Sequence, residues 1–274
     1  MLIKTLVEDT SLSGDISSEH GLSLYLETGG KKLLFDMGKT DLFLENAAKL
    51  GVRIDRVDLA VVSHGHYDHG GGLSAFLNAN RNAMVYIRKQ AFERHLALRA
   101  DGRLSDIGMD LTFLQSGRLI YTGERERIAK GMELFSGVTE RVLYSDSNQV
   151  LLAERNGEIV QDDFMHEQSL ILNENGKYVL LAGCAHCGIV NIVRRAQEIA
   201  RRRMDVVIGG FHLHNPTSKK TEKKEKIVKI GQALKETGSL YYTGHCTGAE
   251  PFAILKEIMG DRLEPLSAGC VIEI

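Results

Sequence analysis

Four side chains that can bind metal ions stand close together early in the sequence: His64, His66, Asp68 and His69. No regular helix or strand directs all four toward one point, but a tight loop does, and Gly65 permits the bend. Imidazole suits zinc, iron and nickel, and a carboxylate offsets the charge of a dication. The spacing therefore predicts a loop that binds two metal ions and activates water. Without a cation, these residues would repel one another beside an apolar strand.

Three later segments share one design, in which an apolar strand is followed by glycine and then by histidine. The histidines are His186, His212 and His245. Because each lies at or just past a predicted strand end, we expect them at the edge where the loop of residues 64–69 emerges. The recurrence predicts one shared metal site built from four separate strand ends.

The periodicity of apolar residues predicts the elements that position these side chains. Predicted strands cover residues 2–7, 22–27, 32–35, 58–62, 84–87, 169–172, 177–181, 206–208 and 239–242, with a last strand ending at Ile274. Predicted helices cover residues 41–50, 90–98, 189–200, 225–236 and 251–259. Early hairpins followed by alternating strands and helices predict an α/β fold, a four-layer αββα sandwich of two mixed β-sheets flanked by helices. Ligand sites in such folds collect where strands end.

The 274 residues include only 3 prolines and no glycine- or serine-rich linker, so we expect a single domain over residues 1–274. Residues 99–130 show the weakest periodicity. They are interpreted either as an insertion that forms a lid or as a passive surface loop. No stretch approaches the roughly 18–20 apolar residues of a membrane span, and the first residues lack the basic start of a secretion signal. The expected compartment is the cytoplasm.

Charge gives little indication of a macromolecular partner. The net charge of -2 provides no reason to expect nucleic acid or a membrane surface. Basic residues between Arg194 and Lys226 either hold a substrate phosphate or are solvated helix ends, and the glutamates among them favour the second interpretation. The expected partner is a small-molecule substrate, with a phosphate as one option, and the oligomeric state is left open.

The cysteines suggest a competing hypothesis. Cys184 and Cys187 form a Cys-x-x-Cys pattern between a strand and a helix, which is also typical of thiol–disulfide redox sites. A redox or electron-transfer protein would, however, leave the histidine cluster without a role. A metal-binding protein without catalysis is a third interpretation. The chain contains neither a glycine-rich nucleotide loop nor a G-x-S-x-G motif, which disfavours nucleotide-driven and serine-hydrolase chemistry.

The motifs together resemble a known family. Residues 61–73, with the sequence VVSHGHYDHGGGL, look like the signature of the metallo-β-lactamase fold superfamily. The chain is similar to the branch that includes the dihydropterin ribofuranosyl-aminobenzene phosphate synthase of methanopterin biosynthesis. The shared segments are EHGLS at 19–23, LFDMG at 34–38, GCAH at 183–186, GGFHL at 209–213 and HCTG at 245–248. They run nearly from end to end.

The resemblance implies roles for the site residues. His186 would complete the shell of a first metal with His64 and His66. His245 would join Asp68 and His69 on a second metal, and His212 would bind metal or contact the substrate. The implied cofactors are two divalent ions, zinc first, with iron or manganese as alternatives. The implied activity is that of a metal-dependent hydrolase with Asp68 as a catalytic residue, or of a phosphoribosyl-type transferase.

The sequence departs from the superfamily pattern at one position. Cys184 stands where an aspartate between the metals is expected. Either its thiolate bridges the metals or His186 takes that position, and a thiolate would favour softer metals.

Other polar residues are expected to have lesser roles. Asp36 either orients a ligating imidazole or is a plain turn residue. His20 is expected to line the cleft. His166 lies where the superfamily often has another histidine, so it is either a further ligand or, as its sequence neighbours indicate, part of an exposed turn. His95 and His214 are expected at the surface.

Overall fold

A computed structural model describes residues 1–215 and 220–274. The strands of its first half are β1 Leu2–Val7, β2 Ser23–Thr28, β3 Lys31–Phe35, β4 Leu59–Val61, β5 Met84–Ile87, β6 Arg94–Leu98, β7 Leu104–Asp106, β8 Leu119–Tyr121, β9 Arg125–Ala129 and β10 Met132–Ser136. Those of its second half are β11 Leu151–Arg155, β12 Glu158–Gln161, β13 Gln168–Glu174, β14 Lys177–Leu181, β15 Val206–Ile208, β16 His214–Asn215, β17 Lys220–Thr221, β18 Leu240–Thr243, β19 Leu263–Pro265 and β20 Val271–Glu273. The helices are α1 Leu42–Lys49, α2 Tyr67–Gly70, α3 Leu73–Ala79, α4 Ile189–Ala200, α5 Lys224–Glu236 and α6 Ala249–Met259.

Two mixed seven-stranded sheets form the centre of the fold. The first has the strand order β20-β1-β2-β3-β4-β5-β8, and the second has the order β19-β18-β15-β14-β13-β10-β9. In the first sheet β3, β4, β5 and β8 run parallel, and in the second β14, β15, β18 and β19 do so. The carboxyl ends of these parallel strands carry the loops with the predicted site residues.

Alternating side chains on the strands form three apolar layers. Leu33 and Phe35 on β3 pack between the sheets with Val179 and Leu181 on β14. The intervening Leu34 points the other way, as the two-residue period of a strand requires. That outer face of the first sheet packs against α1 and α3, and the outer face of the second packs against α4, α5 and α6. The predicted four-layer αββα sandwich is confirmed.

Most predicted elements agree with the structure to within one or two residues, but the helix predicted over residues 90–98 is wrong. A 3-10 turn, Lys89–Phe92, precedes the strand β6 there. Pairing with β11 on one side and β7 on the other accounts for the strand, because it satisfies both edges of a segment whose local spacing resembles a helix. These strands belong to a third, antiparallel sheet with the order β12-β11-β6-β7.

The segment of residues 99–130 contains more regular structure than its sequence indicates. It contributes β7 to the third sheet, β8 to the first and β9 to the second. Its side chains on these strands are only partly buried, so its apolar pattern is weak. The single-domain organisation and the lid role stay predictions. No helix among the described residues has the length and apolar character needed to cross a bilayer.

Candidate metal centre

The loop after β4 brings the first predicted ligands to the carboxyl edge of the sheet. His64 and His66 are buried, and Asp68 and His69 follow on the single turn α2. A side chain at Gly65 would collide with the Ala91 carbonyl and the His95 ring. Glycine is therefore required here by the close approach of a neighbouring segment.

Four buried histidines, which we call the histidine set, face one another beside this loop: His64, His66, His186 and His212. The ring centroids of His64, His66 and His186 lie 4.6, 4.8 and 4.9 Å apart, and the His212 ring lies 4.3 Å from that of His186. The Nε2 atoms of all four, and Nδ1 of His212, have no hydrogen-bond partner among the described residues. Buried nitrogen atoms without partners are costly unless a ligand satisfies them.

A second group, the carboxylate set, adjoins the first and comprises Asp68, His69, Cys184 and His245. His69 Nε2 lies 3.3 Å from His245 Nε2, and Asp68 Oδ2 lies 3.2 Å from the same His245 atom. Cys184 Sγ lies 3.1 Å from His69 Nε2. All four residues offer ligand atoms within 4.8 Å of one another, as a shared metal ion requires.

The Nδ1 atoms of four site histidines are each held by an acceptor. His69 Nδ1 contacts Asp36 Oδ2 at 2.7 Å, and His245 Nδ1 contacts Asp9 Oδ1 at 2.6 Å. His186 Nδ1 lies 3.1 Å from Asn148 Oδ1, and His64 Nδ1 lies 2.9 Å from the Ser63 hydroxyl, which itself donates to Asp36. His64 and His186, whose rings burial keeps neutral, therefore carry the proton on Nδ1 and present the Nε2 lone pair to the site, the tautomer that binds a metal. Asp36 and Asp9 orient the rings of His69 and His245.

Burial and charge divide the site into two electrostatic halves. Burial and the neighbouring histidines hold the pKa of His64, His66 and His186 well below its usual range, so these rings are neutral. Burial opposes ionisation of Asp68, yet His69 and His245 outweigh it and lower the pKa of that carboxyl. The neutral nitrogens and the carboxylate fit divalent cations, so the residues present match the metal ions implied by the motifs.

Cys184 lies between the two sets. Its sulfur shares one group of candidate ligands with His64 and His186 and another with Asp68, His69 and His245. Burial and the neighbouring Cys246 raise the pKa of the Cys184 thiol well above its usual range. A bound cation would favour the thiolate, and the sulfur belongs to both groups of candidate ligands whereas the His186 ring belongs to one.

A third buried group, the support cluster, consists of His95, Asp162 and His166. Asp162 Oδ2 accepts from His95 Nδ1 at 3.0 Å and from His166 Nε2 at 3.2 Å. His166 Nδ1 accepts the Gly65 N–H at 2.9 Å. The surface positions predicted for His95 and His166 are wrong, because the third sheet and the turn before β13 carry both rings behind the metal-binding loop.

The remaining candidate residues are placed as follows. His20 lines the cleft, and its Nε2 lies 3.4 Å from Asp68 Oδ2. His214 is half-buried and contacts Thr221. Cys187 is buried in the apolar core, and none of the four cysteines forms a disulfide. Lys226 pairs with Asp146 and Glu222, and Lys219 lies outside the described residues.

Several residues that hold the site were missed by the sequence analysis. Asp9 follows the strand β1 without the glycine and histidine of the other strand ends, so only its position just past a strand could have indicated it. Asn148 and Asp162 lie in residues 140–166, where no element was predicted. Arg99 lines the cleft from the hairpin after β6. Its position at the cleft depends on the pairing of β6 with β7 and β11, which local spacing does not indicate.

The crystal structure of Tm1679, described as a metal-dependent hydrolase of the β-lactamase superfamily, superposes on the chain with a TM-score of 0.81. The two are 31% identical, and the match covers 100% of this chain and 99% of the other. The chain belongs to the metallo-β-lactamase superfamily. Residues 19–108, which include the metal-binding loop, also match the superfamily's sequence profile.

Two further proteins are similar to the chain, one in sequence and one in fold. The 7,8-dihydropterin-6-methyl-4-(β-D-ribofuranosyl)-aminobenzene-5′-phosphate synthase of Methanocaldococcus jannaschii is 27% identical over 99% of this chain and 96% of its own length. The Zn²⁺-bound PqqB from Methylobacterium extorquens shares the fold, with a TM-score of 0.58 at 11% identity over the whole of both chains. The chain is thus a hydrolase-like superfamily member with buried histidine and aspartate groups suited to divalent metal ions.

Proposed function

We propose that the protein is a hydrolase that uses two divalent metal ions, expected to be zinc, with iron or manganese as alternatives. His64, His66 and His186 would hold the first ion, with His212 beside them. Asp68, His69 and His245 would hold the second, with the Cys184 sulfur between the two. The observation that carries the proposal is the set of four buried Nε2 atoms without partners among the described residues, two of them on rings whose Nδ1 atoms lie against acceptors.

The chemistry follows from what the side chains do around such ions. Two divalent ions held here would lower the pKa of water and polarise a carbonyl or phosphoryl oxygen. The Asp68 carboxylate is placed to accept the proton of the attacking water. His20 Nε2 lies 3.4 Å from Asp68, and its Nδ1 lies 2.9 Å from the partly exposed Asp9. This chain of groups gives the proton a route toward solvent.

The cleft beside the metal centre fits a small molecule. Its empty space, with the open mouth included, is about 510 Å³. Tyr67, Ala97, Ile107 and Leu151 provide much of the wall away from the ligands. We therefore expect a small-molecule substrate with a hydrolysable carbonyl or phosphoryl group, and a phosphate elsewhere on it is compatible with the site.

Phosphoribosyl-type transfer is the second candidate. It is favoured by the similarity, over nearly the whole chain, to the relative named as a ribofuranosyl-aminobenzene phosphate synthase. In that reaction the same residues would hold the ions that bind the diphosphate leaving group of the donor, in place of an attacked ester.

The test combines metal analysis with turnover. Protein purified without chelators is assayed against esters, lactones, phosphodiesters and phosphoribosyl diphosphate, before and after metal removal and with Asp68→Asn as the impaired variant. Metal-dependent hydrolysis that Asp68→Asn reduces supports the proposal. Release of diphosphate from phosphoribosyl diphosphate only when an aminobenzoate acceptor is added would instead support the transferase.

Two outcomes would contradict both reactions. Full metal binding without turnover of any compound would indicate a metal-binding protein without catalysis. Thiol–disulfide activity lost in Cys184→Ser and Cys187→Ser, with metal content intact, would indicate the redox protein.

A further inference from the structure

The cleft has a second wall whose chemistry differs from that of the metal-binding edge. Ala97, Ile107 and Leu151 give it buried apolar surface. Arg99 stands at this wall, and it is the only lysine or arginine among the described residues that line the cleft. The wall therefore joins an apolar surface to a single positive charge.

The hairpin holds Arg99 in a defined position. Its backbone N–H donates to the Arg103 carbonyl at 2.8 Å, and its Nε donates to the Ser105 hydroxyl at 2.7 Å. The residue is half-buried, which limits the exposure of its charge to solvent. Arg99 lines the same cleft as Asp68 and His186, so its side chain and the metal-binding edge face one enclosed space.

We propose that Arg99 binds an anionic group of the substrate while the metal centre acts on a second group. The substrate class is then a small molecule with a carboxylate or phosphate at one end, an apolar middle and a hydrolysable group at the other end. The planar guanidinium suits this task, since it presents paired donors to carboxylate or phosphate oxygens. The inference rests on the proposed function, because it assigns a substrate class to the same site.

A matched control lies on the same hairpin. Arg103 is exposed, pairs with Asp101 and does not line the cleft. Arg103→Ala removes an equal charge at nearly the same place in the chain. A general electrostatic effect would appear in both variants, and a specific contact only in Arg99→Ala.

The experiment measures binding to zinc-loaded protein by calorimetry. The probes are dicarboxylates from succinate to pimelate, each compared with the monocarboxylate of equal chain length. The wild type and Arg103→Ala should bind one dicarboxylate length about 10- to 100-fold more tightly than its partner, the range expected for charge-assisted hydrogen bonds. Arg99→Ala should lose this preference with its zinc content unchanged, and Arg99→Lys should keep part of it. An equal preference in Arg99→Ala, or none in the zinc-loaded wild type, would overturn the proposal.

A second arm separates this proposal from the proposed function. It compares hydrolysis of mono-4-nitrophenyl glutarate with that of the neutral 4-nitrophenyl pentanoate. Hydrolysis of both esters with equal kcat/KM, unchanged in Arg99→Ala, would contradict the proposed anion site and support the proposed hydrolase. An Arg99-dependent preference for dicarboxylates without hydrolysis of either ester would contradict the proposed hydrolase and support the anion site.

Discussion

The histidine set and the support cluster are adjacent and similar in composition, yet they differ in one respect. Both are buried, and the His66 ring lies 5.6 Å from that of His95 and 5.3 Å from that of His166. In the support cluster, protein atoms occupy both ring nitrogens of His95 and His166. In the histidine set, every Nε2 lacks a partner among the described residues. Burial and residue type alone therefore do not distinguish the two groups, whereas the pairing of their ring nitrogens does.

The support cluster illustrates why distance alone misleads. With His66, its three residues place ligand atoms within 4.8 Å of one another, as a metal site does. Both nitrogens of His95 lie against protein atoms, Asp162 and the Gln90 carbonyl, so neither is free for a metal ion. His166 accepts the Gly65 N–H, so Asp162 and His166 fix the peptide between two proposed ligands. We interpret this cluster as a positioning unit for the metal-binding loop.

The largest effect is expected from removing one unpaired nitrogen. His66→Ala should lower the bound metal by at least one equivalent and weaken its affinity more than about 100-fold, beyond the loss typical of outer-shell partners. His166→Asn, a substitution in the support cluster, should leave both equivalents of metal bound. Metal content after dialysis, measured by elemental analysis, checks both variants. Full metal content in His66→Ala would break the distinction between the two groups.

A smaller effect is expected at Asp36, which accepts from His69 Nδ1 and from the Ser63 hydroxyl. Asp36→Asn should weaken metal binding about 10- to 100-fold, because the tautomer of His69 is no longer fixed. Competition with a chromogenic chelator measures the affinity. Asp55→Asn, in an exposed ion pair with Arg53, is the control and should leave the affinity unchanged. Equal affinities in the two variants would show that Asp36 is a plain turn residue.

Within the support cluster, stability should change more than metal binding. Asp162→Asn replaces the buried carboxylate that contacts both His95 and His166 with a neutral amide, and we expect the free energy of unfolding of the metal-free protein to fall by about 3 kcal/mol. Both metal equivalents should remain, with affinity reduced about tenfold or less. Urea unfolding in chelator and metal titration of the folded variant measure the two quantities. Loss of a full equivalent of metal would instead indicate that Asp162 is a metal ligand.

The smallest effect is expected in the pH dependence of the difference in unfolding free energy between the wild type and Asp162→Asn. Burial opposes the ionisation of Asp162, but His166 and His95 outweigh it and lower the pKa of the carboxyl well below its usual value. The contribution of Asp162 is therefore present above about pH 4 and is lost as the pH falls toward the lowered pKa. The gap between wild type and Asp162→Asn should stay constant from pH 7 to 5 and narrow below 4. Unfolding curves at these pH values would contradict this account if the gap widened on acidification.

The fold and the proposed ligands were accessible from the sequence because both are encoded locally. An apolar strand followed by glycine and histidine indicates a candidate ligand from the local sequence alone. Parallel strands then bring such strand ends to one edge of the sheet. The support cluster was not accessible, since His95 depends on the pairing of β6 with β11 and His166 on the burial of the turn before β13. Likewise, Cys184 was identified at an unexpected position, but only the three-dimensional arrangement places its sulfur between the two sets.

Anomalous X-ray diffraction from zinc-loaded crystals, collected on both sides of the zinc edge, tests the central claim most directly. The account predicts two peaks, one among the Nε2 atoms of His64, His66 and His186 and one beside Asp68, His69 and His245. It predicts no peak within the support cluster. A map with no peak in either ligand set, or with its main peak among His95, Asp162 and His166, would contradict the account.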